Sequence, residues 1–139
     1  MISFNSLVDG FVLKSPEKYK TWLQEIISKE HHKLVGDIGF IFMDDASLHE
    51  MNKNFLEHDT YKDIITFNTA SIKEIISGEV YISIERVEDN SKLRNINFYN
   101  ELARVMAHGI LHLIGYDDST DEEKVAMRRQ EDYCLNLLP

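Results

Sequence analysis

His108-Gly109-Ile110-Leu111-His112-Leu113-Ile114-Gly115-Tyr116-Asp117-Asp118 sets two histidines four apart in a helical run, with a carboxylate six residues beyond the second. On an α-helix, positions i and i+4 share one face with Cβ atoms about 5–6 Å apart, so His108 and His112 can each offer a ring nitrogen to one ion. Gly115 stands where a left-handed residue ends a helix and turns the chain back. That turn lets Asp118 or Asp117 supply a third ligand. Three protein ligands leave one coordination position open to water, which is the pattern of metal-assisted hydrolysis. One Zn²⁺ per chain is the expected occupant.

The run sits in a helix read from about Asn97 to Ile114, apolar almost all round through Leu102, Val105, Met106, Ile110, Leu111 and Leu113. Such a helix belongs at the centre of a domain. Gly109 costs helix stability relative to alanine, roughly 0.5–1 kcal/mol, so its place beside His108 implies a close approach by a strand or by substrate. After Asp118, Ser119-Thr120-Asp121-Glu122 fits a capping box that starts the last helix and pins the loop carrying the third ligand.

Working outward, Ser15-Pro16-Glu17 reads as an N-cap, a first-turn proline and an early acid. Tyr19, Trp22, Leu23, Ile26 and Ile27 then recur at helical spacing and form a core-facing stripe. Asp37 to Met43 is an apolar run suited to an interior strand. A helix from about Asp45 to Phe55 turns Leu48, Met51 and Phe55 inward. Strands follow at Asp63 to Asn68 and Gly78 to Ile84, with Glu79 on the second read as facing solvent. The order helix, strand, helix, strand, strand, helix, helix implies an α+β single domain over residues 1–139, in which helices pack on a small mixed β-sheet.

The spacing H-x-x-x-H-x-x-G-x-x-D matches the metzincin pattern H-E-x-x-H-x-x-G-x-x-H at its ligand and glycine positions. It differs in Gly109, where a metallopeptidase carries its general-base Glu, and in the acid at the third ligand position. A carboxylate oxygen is a good zinc ligand. The missing Glu argues against peptide hydrolysis.

The same segment resembles the signature of the YbeY family, H-G-x-L-H-L-x-G-Y-D-H, with Asp118 where the family has its third histidine. Gly78-Glu79-Val80-Tyr81-Ile82-Ser83 is similar to the family's G-D-I-x-I-S strand, and Asp63-Ile64-Ile65-Thr66-Phe67 to its T-N-V-L-S-F strand. The resemblance runs from about residue 36 to the end. It implies a metzincin-like core and a single-strand endoribonuclease acting in maturation of ribosomal RNA, including the 3′ end of the small-subunit RNA, and in ribosome quality control. Ribosomal RNA, the ribosome and assembly factors are the implied partners. The arginine usually found shortly before the T-N-V-L-S-F strand aligns with Leu56, which leaves Lys53, His58 and Lys62 as nearby cations.

Composition bounds this reading. The chain has 139 residues, 43% hydrophobic and 28% charged, which suits one globular domain. No run approaches the roughly 20 apolar residues that span a bilayer, and no basic leader precedes an apolar core, so a cytoplasmic location is expected. Lone Cys134 is read as a small buried hydrophobe. A formal net charge of −9 opposes nonspecific RNA affinity, which comes from Lys and Arg on phosphates. Basic residues gather at Lys14, Lys18 and Lys20, at Lys29 and Lys33, at Lys92 and Arg94, and at Arg128 and Arg129. Acids are interleaved near each cluster, so each is read as solvated surface. Binding through a ribosomal protein would remove the need for a basic face. The rival functions are a metallopeptidase-like hydrolase and a non-catalytic ribosome-assembly protein with a structural metal.

Overall fold

The computed structural model describes residues 1–30, 33–56 and 62–139, without the side chains of residues 55 and 56. The element order is β1 (Ile2–Ser6), α1 (Pro16–Ser28), β2 (Leu34–Met43), α2 (Asp45–Leu56), β3 (Ile64–Asn68), β4 (Ile75–Ser83), α3 (Ile84–Arg94), α4 (Phe98–Ile114) and α5 (Asp121–Asn136). The expected α+β architecture is present, with two further elements, β1 and α3.

Both additions have a local cause. In β1, Ile2 and Phe4 alternate with Ser3 and Asn5, and the strand pairs in parallel with β2 from Ile2 opposite Ile38 to Ser6 opposite Phe42. Five residues carry too little period-two signal to stand out in the sequence. Helix α3 buries only Ile84, Val87 and Ser91, so its apolar stripe is faint. Its start is chemical: the Ser83 hydroxyl accepts from the Arg86 amide at 3.1 Å, which ends β4 at Ser83 rather than at Ile84. Asn95, left-handed at φ 56°, closes the helix.

Sheet order is β1-β2-β4-β3, with β2 parallel to both neighbours and β3 antiparallel to β4. Because side chains alternate across a strand, each face has its own partners. Ile38, Phe40 and Phe42 of β2 and Val80 and Ile82 of β4 are buried in the main core with α1, α4 and α5. Ile41, Tyr81, Ile65 and Phe67 point the other way and pack with Met43 and Leu48 beneath α2. Met51 of α2 joins that smaller cluster, while the inward placement expected for Phe55 lies outside the described residues.

Helix α4 is the axis of the main core. Leu102, Val105, Met106, Ile110, Leu111 and Leu113 are all buried, as their all-round apolar pattern requires. Truncating any one fully buried member, such as Leu102, to alanine would cost about 2–5 kcal/mol. Gly109 faces the sheet: a Cβ there would meet Val80 Cγ1 at 2.8 Å and Ile64 Cδ1 at 3.1 Å. The close approach inferred for this glycine is therefore to strand side chains. Helix α5 packs on α4 and is tied to α1 by Trp22 Nε1, which donates to the Cys134 carbonyl at 2.8 Å.

Two helix starts differ from the sequence expectation. Ser15 precedes α1 in a left-handed conformation, φ 54° and ψ 55°, and makes no side-chain cap; Pro16 and Glu17 supply the start signal. The capping box of α5 is formed by Thr120 and Glu123, one residue later than Ser119 and Glu122. The Thr120 hydroxyl accepts from the Glu123 amide at 3.1 Å, and the Glu123 carboxylate accepts from the Thr120 amide at 2.9 Å. It also accepts from the Ser119 amide at 3.2 Å, so the residue next to Asp118 is held.

Candidate metal centre

The site is assembled from the end of α4, the turn after it, and α5. Helix α4 stops at Gly115, whose φ of 127° suits a residue without a Cβ. The Gly115 amide donates to the Leu111 and His112 carbonyls and the Tyr116 amide to Leu111 at 3.0 Å, which folds the chain back over the last turn. Asp118 then lies beside both histidines.

One oxygen of Asp118, Oδ2, is 3.3 Å from His108 Nε2 and 3.5 Å from His112 Nε2. Charge-assisted hydrogen bonds to carboxylates run shorter, about 2.7–2.9 Å. Two ligand atoms each about 2.0–2.1 Å from one tetrahedral ion, by contrast, are about 3.3 Å apart. A donor atom from each of the three residues lies within 4.8 Å of the other two. The donor set and its spacing fit a divalent transition ion. His108, His112 and Asp118 are thus brought together as the sequence implied, while Asp117 is exposed and outside the group.

A second layer was not read from the sequence. His108 Nδ1 lies 2.7 Å from Glu131 Oε2 on α5. Arg104, one turn before His108, donates to Glu131 Oε1 at 3.0 Å and to Asp132 Oδ1 at 2.8 Å. Burial raises the pKa of the Glu131 carboxyl, but hydrogen bonds and charge from His108 and Arg104 outweigh it and hold the group below its ordinary value. Burial lowers the pKa of His108, yet the Glu131 hydrogen bond and the charges of Glu131, Asp118 and Asp63 hold the imidazole above its usual value. With Glu131 an anion, Nδ1 carries a proton, and Nε2 is the ring nitrogen that faces Asp118 and is placed to bind a metal. The available signal was the spacing Arg104, His108, His112, which puts three polar residues on one face of an apolar helix.

Two cavities flank the cluster. The smaller, about 280 Å³, lies between α4 and α5 and is lined by Arg94, Glu101, Arg104, Lys124, Arg128 and Glu131, among others. The larger, about 540 Å³, is bounded by Lys62 and by Ile64, Thr66 and Asn68 of the edge strand β3, beside His112. Asp63, Ile64, His108 and Asp118 line both. Glu101 is fully buried and takes two contacts from Arg94 Nη1, at 3.0 and 3.1 Å; burial outweighs Arg94 and raises its pKa. Among the cations proposed near Leu56, Lys62 borders the larger cavity and Lys53 is exposed on α2. The Leu56 side chain and His58 lie outside the described residues.

An α+β fold whose central helix aims two imidazoles at a carboxylate beyond a glycine turn defines a class: proteins with a three-ligand candidate metal centre open to solvent. Within it, the chain belongs to the YbeY family, since the family's sequence model, described as Endoribonuclease YbeY, matches residues 11–139. The Endoribonuclease YbeY of Cytophaga hutchinsonii is 44% identical over 127 residues, 91% of this chain and 88% of that protein. That of Flavobacterium johnsoniae is 46% identical over 132 residues, 95% and 93% of the two chains. The solution structure of a Thermotoga maritima protein superposes with a TM-score of 0.69 at 30% identity, covering 99% of this chain and 89% of that one.

Proposed function

We propose that this protein is a metal-dependent single-strand endoribonuclease of ribosomal RNA maturation, including the 3′ end of the small-subunit RNA, and of ribosome quality control in the cytoplasm. Family membership supports nuclease chemistry. The observation that carries the metal dependence is the placement of Asp118 Oδ2 between the two imidazole Nε2 atoms. His108, His112 and Asp118 would hold one Zn²⁺, which when bound would polarise a phosphodiester and acidify a water.

The chain's own residues set the stage for that chemistry. Glu131 accepts a hydrogen bond from Nδ1–H of His108 and leaves the other ring nitrogen to ligate, while Arg104 fixes Glu131. Gly115 and the Thr120–Glu123 cap fix the loop that carries Asp118. Cavities on both sides of the cluster suit a strand that continues past the cut, as an endonuclease requires. Ribosomal RNA and assembly factors are the proposed partners, and no helix among the described residues is long and apolar enough to cross a membrane.

Packing weighs against the metallopeptidase alternative. That chemistry needs a Glu after the first histidine, and at Gly109 even a Cβ would crowd Val80 Cγ1 at 2.8 Å and Ile64 Cδ1 at 3.1 Å. The deciding experiment is cleavage of single-stranded RNA and of a peptide substrate by the zinc-loaded protein, before and after chelation. Cleavage of RNA alone, abolished by the chelator and restored by zinc, is expected. RNA cleavage that survives thorough chelation would overturn the mechanism. Metal-bound protein without turnover would favour the structural-metal alternative.

A further inference from the structure

We infer that the cavity between α4 and α5 is a phosphate-binding subsite for the RNA strand on one side of the scissile bond, with Lys124 and Arg128 as its contacts. This rests on the endoribonuclease reading above.

The two cavities meet at His108 and Asp118, but they offer a passing strand different chemistry. Of the four acids bordering the α5 cavity, two are held by cations, Asp118 belongs to the candidate ligand set, and Asp63 borders both cavities and so does not distinguish them. Glu131 is held by His108 and Arg104, and Glu101 by Arg94. Those same contacts occupy Arg104 and Arg94. Lys124 and Arg128 remain. They are four apart on α5, so they share a face, and buried Met127 anchors the helix between them. Arg128 lies 3.9 Å from Glu131 Oε1, an oxygen that Arg104 already approaches at 3.0 Å. The Lys124 ammonium makes no ion pair among the described residues. A space of about 280 Å³ is at the small end of ligand pockets, enough for one phosphodiester and its sugar.

The β3 cavity is different. Among the described residues it is bordered by a single lysine, Lys62, next to Asp63, and by the neutral polar residues Thr66 and Asn68 of an edge strand. In a chain of net charge −9, a polyanion is repelled over much of the surface, so Lys124, without an ion pair among the described residues, and Arg128, whose 3.9 Å ion pair is to a carboxylate oxygen that Arg104 already holds, set which way the strand lies. The strand is gripped through a phosphate on the α5 side, while the β3 side offers one lysine beside Asp63 and neutral polar groups.

The test compares the zinc-loaded parent with the double variant Lys124→Ala/Arg128→Ala and a control of equal charge loss, Lys92→Ala/Arg129→Ala, whose residues are exposed and border neither cavity. Cleavage of a single-stranded oligoribonucleotide is followed against salt, and binding of the same oligonucleotide to zinc-free protein by fluorescence anisotropy. The expected result is a roughly tenfold loss in kcat/KM, carried by KM, and weaker binding by a similar factor. The slope of log affinity against log salt should shrink by about 0.7, one single-strand phosphate contact. Zinc content and the control should match the parent. Parent-like KM and salt slope in the double variant, or an equal loss in the control, would overturn the subsite. Failure of the parent to cleave RNA would sink the endoribonuclease reading instead, and the anisotropy arm would still decide whether Lys124 and Arg128 bind the strand.

Discussion

His108 Nδ1 and Glu131 Oε2 lie 2.7 Å apart, joining the helix that carries both imidazoles to the helix that follows the third ligand. This bond sets the tautomer and ring orientation of His108. Glu131→Gln should leave an acceptor for Nδ1–H but remove the charge that favours it and that pairs with Arg104. Zinc affinity, measured by competition with a chelator, should fall about 10-fold or more. Loss of the paired carboxylate should also cost about 1–3 kcal/mol in chemical denaturation. Unchanged affinity would show that Glu131 only packs.

Purified protein should bind one zinc per chain, read by elemental analysis and calorimetry. His112→Ala should abolish this binding with the circular dichroism of the fold retained, because His112 is partly exposed and lies outside the apolar core. A molten or aggregated variant would point to a metal needed for folding.

Asp118→His should move the rising limb of the pH–rate profile to lower pH. An anionic carboxylate gives more charge to the ion than a neutral imidazole, so the parent site acidifies water less strongly. Asp118→Ala should lower zinc affinity. An unmoved limb in the histidine variant, or full affinity in the alanine variant, would remove Asp118 from the ligand set.

Gly109→Ala tests the packing of α4 on the sheet. Helix propensity favours alanine by about 1 kcal/mol. The new Cβ, however, would lie 2.8 Å from Val80 Cγ1, on a stiff β-branched side chain, and overpacking of this kind costs about 1–3 kcal/mol. A net loss of about 1 kcal/mol is expected in urea unfolding, and a stabilised variant would show that Val80 gives way.

Cys134 supplies a pH dependence away from the site. Burial, with smaller contributions from the charges of Glu131 and Glu30, pushes its thiol up from 9.0 to about 11. The group is harder to ionise when folded, so its contribution to stability is whole below pH 9 and is lost as pH rises toward 11. Native protein at pH 8 should react with a thiol reagent only as fast as it opens. Cys134→Ala should flatten the fall in stability above pH 9, and an equal fall in the variant would assign it to other groups.

The sequence by itself determined what is local. The i, i+4 spacing of His108 and His112, the turn at Gly115 and the carboxylate at Asp118 follow from the helical repeat and from one residue free of Cβ strain. The all-round apolar pattern of α4 was enough to place it at the centre. Short-range chemistry was read with an error of one residue: the α5 cap is Thr120 with Glu123, because geometry chooses between adjacent hydroxyls that composition cannot rank. Tertiary structure alone decided the rest. Glu131 and Arg104 are 27 residues apart and meet only because α5 packs on α4. The order β1-β2-β4-β3 and the crowding of Gly109 by Val80 and Ile64 depend on long-range pairing. Arg94 and Arg128, read from the sequence as solvated surface, border the cavity beside His108 because α3 and α5 converge there. Hydrophobic periodicity reports which face of an element is buried; it carries no record of which distant element covers it, and the groups around His108 come from such contacts.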